Sequence, residues 1–417
     1  MSSKANLYQD VVATIKKSAS SITPFHEKVK PHQAEGRVLA AAVISIESIP
    51  SFDNSSMDGF AVRTSEVKSG ENCFKVLKRI IAGDAPSEVA DLNIAVQIMT
   101  GAPIPAGFDA IVKLEDTLLM DLSGQANIVF KGPVVSGQFV RRAGEDFKNG
   151  DCIANPGDRV DAKLIMGMAA LGVKEISVVR KPKVWVISTG NEIVEYDQEV
   201  LAPGEIRNSS APFLIEELRR LGCEVNYRGI IKDVENTHVA SEYENTLRAA
   251  LDESIDIVIS TGALSMGVHD FAKDIVVKLG GDVLFHKVAI RPGKPVLFAQ
   301  FPKNPNTHFI GLPGNPISTV VGTQFFVRPF LDEYFKQSSP RTVQAKLIKT
   351  AKKPEGLRCF FKGHWFVNEK GESCIDVLEG QASFMIHSLI KANAWVVLPE
   401  ENDVVVAGKL LEVYPFE

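Results

Sequence analysis

Nowhere along the chain do 18 or more apolar residues run together, so no membrane-spanning helix is expected. The opening residues, Met1-Ser2-Ser3-Lys4-Ala5-Asn6, lead into a mixed polar segment rather than an apolar one, and no signal peptide is expected. Cysteine is scarce. The five present (Cys73, Cys152, Cys223, Cys359 and Cys374) are scattered and odd in number, with no CxxC pair and no Cys/His spacing suited to zinc. Reduced thiols in a cytoplasmic protein are the expectation. A basic surplus is also missing. The chain carries 46 Lys and Arg against 51 Asp and Glu, a formal charge of −5, which makes nucleic acid a poor partner. Several enzyme signatures are absent too: no HExxH, Ser-His-Asp or Cys-His arrangement stands out, and neither a P-loop lysine nor a GxGxxG is present.

What is present is an ordinary globular composition, 45% hydrophobic and 23% charged, over 417 residues, enough for two to four domains. Residues 7–20 read as a short amphipathic helix with Val11, Val12, Ile15 and Ala19 on one side. From 50 to about 150, apolar triplets broken by Gly, Pro and Asp predict a β-rich module. Residues 161–171 predict a helix stopped by Gly172, followed by a strand at 175–179 and a linker at 180–183. From 184 to 335 the texture alternates. Strands are predicted at 184–187, 224–231, 256–259, 296–299 and 308–311, and helices at 211–221, 237–252, 270–279 and 316–335. Strands apolar on both faces, separated by helices, predict a parallel sheet covered on both sides, with ligands at the carboxyl ends of its strands. His286 lies in an apolar run and is expected to be packed. After about 340 the chain is strand-like again, as in a small β-barrel or sandwich.

Seven loops concentrate polar, Gly and Pro residues. The first, Pro50 to Val62, contains Asp53-Asn54-Ser55-Ser56-Met57-Asp58-Gly59, a composition that an ordinary hairpin turn also has. Met99-Thr100-Gly101-Ala102-Pro103-Ile104-Pro105 is the second, and Arg141-Arg142-Ala143-Gly144-Glu145-Asp146, equally readable as surface ion pairs, the third. Ser188-Thr189-Gly190-Asn191-Glu192 and Ser260-Thr261-Gly262-Ala263-Leu264-Ser265-Met266-Gly267-Val268-His269-Asp270 each begin inside a copy of one pentapeptide, Val-Ile-Ser-Thr-Gly, which predicts two loops on the same sheet edge. Ile290-Arg291-Pro292-Gly293-Lys294-Pro295 is a stiff turn presenting two cations to an oxyanion. In Gly311-Leu312-Pro313-Gly314-Asn315-Pro316, Asn315 is expected to cap the following helix and Pro316 to open it, leaving free amides for an anion. Carboxylates, cations and Gly-rich loops suit an anionic substrate with a divalent metal, and favour phosphoryl-type chemistry over acyl transfer.

In this order the motifs resemble those of the MoeA family, and of the C-terminal domain of gephyrin, over essentially the whole chain. The loop Phe52 to Val62 is similar to the family's PxxxxSxMDGYAV, and Met99 to Pro105 to MTGAPxP. Arg141 to Asp146 is similar to RxxGED, Ser188 to Glu192 to STGDE, Ile290 to Pro295 to (K/R)PGKP, and Gly311 to Pro316 to GLPGNP. The resemblance implies an α/β multidomain protein with a central doubly wound MogA-like α/β domain at 181–338 and an inserted β-rich domain at 50–150. It further implies a split linker domain at 28–49 and 151–180, a C-terminal β-barrel at 339–417, and an N-terminal segment, 1–27, packed on the central domain.

A homodimer is also implied, with a cleft between the central domain of one subunit and the β-rich domain of the other. The implied reaction inserts molybdate into adenylated molybdopterin and releases AMP, assisted by magnesium. Asp58, Thr100, Glu192, Asp233 and Asp270 match polar positions of the family's cleft, and Asp58, Asp146, Glu192 and Asp270 are the implied metal carboxylates. Arg141, Arg291 and Lys294 match its basic positions, Pro313 and Pro316 its wall, and Ser388 a serine near the oxyanion. The substrate loops would supply Ser188, Thr189, Gly190, Ser260, Gly262 and Ser265. The chain departs from the family at Ala263, where SGGVSxG has a glycine, at His269, and at Arg207-Asn208-Ser209-Ser210, where YDSN has an aspartate. A tungstate-preferring paralogue and a gephyrin-like scaffold with weak catalysis are the alternatives. Other cofactor-biosynthesis proteins would be further partners.

Overall fold

The computed structural model describes residues 5–85, 87–232, 237–262, 271–338 and 341–416, with backbone alone for 237–241. Two compact units form, one from Met1–Glu27, Gly36–Val38 and Val178–Glu417, the other from Lys28–Glu35 and Leu39–Ser177. The first helix, α1 (Tyr8–Ser20), buries Val11, Ile15 and Ala19 as its periodicity requires, while Val12 is half-buried.

The second unit contains a six-stranded sheet: β1 (Gly59–Val62), β2 (Glu71–Ile80), β3 (Ile94–Ile98), β4 (Ala110–Lys113), β5 (Leu118–Leu122) and β6 (Gln125–Lys131), in the order β4-β1-β3-β2-β6-β5. Successive side chains point to opposite faces. Phe60, Val62, Ala95 and Val112 therefore fill one apolar layer and Ala61, Val96 and Ile111 the other. The same unit carries α2 (Ala162–Ala170), opened by Asp161, whose carboxylate accepts from Leu164 N at 2.8 Å, and closed before Gly172.

In the first unit a central sheet runs β8-β7-β9-β12-β11-β10. Its strands are β7 (Lys183–Thr189), β8 (Glu224–Ile231), β9 (Ile257–Thr261), β10 (Asp282–His286), β11 (Leu297–Phe301) and β12 (Asn304–Leu312). Helices α3 (Ser210–Arg220), α4 (Thr237–Asp252) and α5 (Phe271–Lys278) connect them. The pairings β8-β7, β7-β9 and β9-β12 are parallel, but β12-β11 and β11-β10 are antiparallel, which corrects the all-parallel expectation. Two residues join β11 to β12, and a connection that short closes only a hairpin. Lys183, expected in a linker, opens β7. The helix expected over 316–335 forms as α6 (Pro316–Gly322) and α7 (Arg328–Tyr334) around one π turn, Thr323–Val327, just ahead of Pro329, which has no amide to donate.

The last strands close a five-stranded barrel. They are β13 (Val343–Leu347), β14 (Arg358–Val367), β15 (Ser373–Val377), β16 (Ala394–Leu398) and β17 (Leu410–Pro415), paired in the cycle β14-β15-β13-β17-β16-β14, with the short α8 (Ile386–Lys391) before β16. All five strands contribute to its core, among them Ala345, Cys359, Ile375, Val396 and Val413.

One core group makes the fold sensitive to acid. His308 of β12 is 1% exposed, stacks on Phe298 and meets the Ser18 hydroxyl through Nε2 at 2.9 Å. Burial lowers its pKa to about 4. The unfolded chain takes up this proton near pH 6.5 and the folded one only near 4, so stability falls as pH drops through that window, by about 3 kcal/mol. Urea titrations of wild type and His308→Phe at pH 7 and pH 4 test this; an equal acid loss in both would refute it.

Candidate active site

Three of the sequence motifs meet in the second unit. Backbone bonds zip the Met99–Pro105 loop to the first motif: Gly101 N donates to Ser55 O at 2.8 Å and Ser55 N to Ala102 O at 3.0 Å. Asp58 Oδ1 accepts from Thr100 N at 2.8 Å and from Thr100 Oγ1 at 3.0 Å, and these donors hold its carboxyl below the usual carboxylate range. The residue after it must be glycine, because a Cβ on Gly59 would stand 2.1 Å from Val112 O. That close approach of β1 to β4 places Asp58 at the strand entrance. The third motif joins through Asp53, which accepts from Arg142 Nη1 at 2.6 Å and Ala143 N at 2.8 Å. Glu145 accepts from Arg142 N. Arg142 and Asp53 thus make the ion pair, with Glu145 capping the Arg142 backbone amide, whereas Arg141, opposite Asn54 in a short ladder, and Asp146 are exposed.

The other group lies in the first unit, at the carboxyl edge of the parallel strands. β7, β9 and β12 end side by side, with Ser188 opposite Thr261 and Thr261 opposite Leu312. The two Ser-Thr-Gly turns are therefore neighbours on one edge, as their echo predicts. Thr189 Oγ1 donates to Thr261 O at 3.0 Å, and Gly262 N to Leu312 O at 3.1 Å. Gly262 has φ +97°, and a Cβ there would stand 2.3 Å from Thr189 O. Gly314 packs against Gly262 in turn, so the three loops touch backbone to backbone. Ser260 is 1% exposed, and its hydroxyl has no hydrogen-bond partner among the described residues. Glu192 is exposed, with its carboxylate folded back over Gly190. Asp233, Ser265 and Asp270, together with the departures Ala263 and His269, lie outside the described residues.

Beside this edge the cationic turn meets the barrel. Ile290–Arg291 adds a parallel rung to Arg358–Cys359 of β14, and Gly293 packs on Ser318 of α6. Arg291 and Lys294 are exposed. The helix start differs from expectation. The Asn315 side chain makes no capping bond, and the Ile317 amide, expected to be open to an anion, donates to Ser383 O at 3.0 Å. Pro313 is buried with its carbonyl held by Thr319 Oγ1 at 2.8 Å, and Pro316 is half-buried.

Ser388, on α8, donates to Gly380 O at 2.7 Å and Met385 O at 3.1 Å. The same two carbonyls receive Lys362 Nζ, at 2.7 and 3.1 Å. Lys362 is 0% exposed, and burial lowers its pKa to about 8. A buried ammonium held, among the described residues, by neutral carbonyls alone is costly and unusual. Sequence reasoning missed it, because a lysine in a strand ordinarily faces water. The signal was a single cation in the apolar run Cys359-Phe360-Phe361-Lys362. Among the described residues no three His, Cys, Asp or Glu side chains converge as a metal-ligand set.

Comparison with known proteins covers the chain in three segments. Residues 7–172 match the model of the MoeA N-terminal region (domain I and II), 185–333 that of a probable molybdopterin binding domain, and 344–416 that of the MoeA C-terminal region (domain IV). The molybdopterin molybdenumtransferase of Synechococcus elongatus is 39% identical over 93% of this chain and 94% of its own length. That of Haemophilus influenzae is 34% identical over 94% of each. In structure, the molybdopterin biosynthesis MoeA protein of Pyrococcus horikoshii superposes with a TM-score of 0.81 at 27% identity, over 99% of this chain and 100% of the other. With relatives matched over more than nine-tenths of their length and the MoeA N-terminal and C-terminal regions both present, the chain belongs to the MoeA family.

Proposed function

We propose that this chain is a molybdopterin molybdenumtransferase, which takes adenylated molybdopterin and molybdate and yields molybdenum cofactor and AMP. The observation that supports this most is the cationic corner of the first unit. Among the described residues Lys362 has no carboxylate partner and is buried beside Ser388, and the turn carrying Arg291 and Lys294 is seated on the same barrel strand. Such a corner attracts a tetrahedral oxyanion, the ammonium groups acting as point charges and the guanidinium as a fork. The touching backbones of the Ser188, Ser260 and Gly311 loops form the adjoining wall for the adenylated substrate, with Ser188, Thr189, Gly190, Ser260, Gly262, Pro313 and Pro316 among its residues.

Magnesium belongs to this reading, with Asp58, Asp146, Glu192 and Asp270 as hard oxygen donors. Among the described residues of one chain, no three His, Cys, Asp or Glu side chains converge on one point. The chain acts as a homodimer with a cleft between the β-rich part of one subunit and the central domain of the other. The placement of Asp58 and Lys294 in separate compact units fits such sharing.

AMP release from adenylated molybdopterin, with magnesium and molybdate, tests the reaction; substrate that binds without releasing AMP would sink it. Asp58→Ala and Lys294→Ala each lower turnover, on the order of 10²-fold, as the loss of one preorganised charge does. Both side chains are exposed, so both variants should still fold, with Asp58→Ala giving up its two Thr100 bonds. Mixing the two variants tests the shared cleft. A heterodimer keeps one cleft with both residues intact only if Asp58 and Lys294 come from different subunits, so activity should return on subunit exchange. Continued inactivity would place both in one chain's site.

A further inference from the structure

Asn208 stands where the family pattern YDSN has an aspartate, and it is 3% exposed. Its amide nitrogen donates to Ser188 Oγ at 2.9 Å and to Tyr227 Oη at 2.9 Å. Its carbonyl accepts from Ala211 N at 3.1 Å, in the first turn of α3. Tyr227 lies on β8, the strand beside β7, and donates its own proton to Glu195 Oε1 at 2.9 Å. One side chain thus joins the end of β7, the neighbouring strand and a helix start, immediately before the Ser188–Glu192 loop.

The donor count favours an amide at this position, with the Ser188 hydroxyl also bonded to the phenol. The phenol proton is committed to Glu195, so Tyr227 Oη faces Asn208 with lone pairs only and needs a donor there. An amide supplies it and a carboxylate does not. With aspartate at position 208, two carboxylates would compete for one phenol proton, and a second negative charge would be buried beside Glu195. We infer that Asn208 is a positioning residue for the Ser188–Glu192 loop, and that Glu195, acting through Tyr227, carries the negative charge that the family pattern places at position 208. The departure from YDSN is thereby compensated inside this chain. The loop's role in holding substrate rests on the function proposed above; the bonding pattern does not.

Moving the charge back tests the inference. In Asn208→Asp the phenol is left with two carboxylates. When Asn208→Asp is combined with Glu195→Gln, the phenol donates to the carboxylate now at position 208 and accepts from the amide now at position 195. That exchange restores one carboxylate and one amide around it. The single variant is expected to lower the melting temperature and to raise KM for adenylated molybdopterin on the order of tenfold, with kcat held within about twofold. The double variant should recover both, with KM within about threefold of wild type. Additive losses in melting temperature would overturn the bonding pattern. Thermal recovery with KM unmoved throughout would overturn the positioning role while leaving the bonds. A wild type that releases no AMP would overturn the functional reading and the loop's role with it, and the thermal cycle would then stand as a result about the network alone.

Discussion

Lys362→Met should abolish measurable AMP release and leave the protein at least as stable as wild type. Methionine keeps the length and apolar stem of lysine but removes the ammonium. In the folded chain that ammonium is 0% exposed and donates to the Gly380 and Met385 carbonyls, with burial holding its pKa near 8 instead of 10.5. Taking a cation out of water without an anionic partner destabilises the fold, so an isosteric apolar residue relieves a strain rather than creating one. Its presence points to a gain elsewhere, and a bound oxyanion is a partner that the described residues do not supply. Loss of that charge is expected to cost 10²- to 10³-fold or more in turnover, the range for a preorganised group facing developing charge. A pH effect follows with a definite sign. Lys362 is charged below about 8 and discharges as pH rises through it, so wild-type affinity for molybdate should fall above pH 8. In Lys362→Arg the charge persists, and that loss should disappear. Wild-type turnover in Lys362→Met would remove the residue from the site.

The second large effect is expected at Gly262. At φ +97°, alanine meets a backbone region that side chains rarely adopt, and its Cβ would stand 2.3 Å from Thr189 O and 2.8 Å from Thr189 Oγ1. Either the β7 loop or the β9 loop must give way. The conformational term is about 1–3 kcal/mol, and overpacking adds a similar amount. Because three loops touch here through Gly262, Thr189 and Gly314, relief moves the wall of the proposed site, and a shift near 1 Å is enough for roughly a 10²-fold loss of turnover. Gly262→Ala should therefore unfold earlier and turn over slowly, whereas alanine at Gly124, with open space around its Cβ but φ +79°, should show only the conformational part. Equal melting temperatures for both variants would refute the packing argument.

The two Ser-Thr-Gly turns show how far sequence carries. Their shared pentapeptide, with β-branched residues buried on both faces, announces parallel neighbours, and the structure pairs Ile187 with Ser260 and Ser188 with Thr261. Asp58 and Thr100 were legible as members of polar loops, but their bond across 42 positions was not, since it depends on Ser55 and Ala102 closing the two loops together. Lys362 was hidden for the opposite reason. Its neighbours fit a barrel strand, and Lys362 lies on the face opposite the core residues Cys359 and Phe361, where the distant Gly380–Met385 segment covers it. Asn208 stood out in sequence only as a departure from the family pattern, an aspartate being missing. Tyr227 and Glu195, which supply the compensation, come from other segments of the chain.

Sequence by itself determined the family, the order of domains, the location of many strands and most helices, and the loops that carry charge, but not the strands Asp282–His286 and Ser373–Val377. These follow from period, turn chemistry and ordered motifs, all of which are local. Tertiary structure alone decided the antiparallel edge of the central sheet, the occupied amide of Ile317, the burial of Lys362 and the one-carboxylate network around Tyr227. Each depends on which distant groups meet, and donor, acceptor and charge balance can be counted only once the partners are in place.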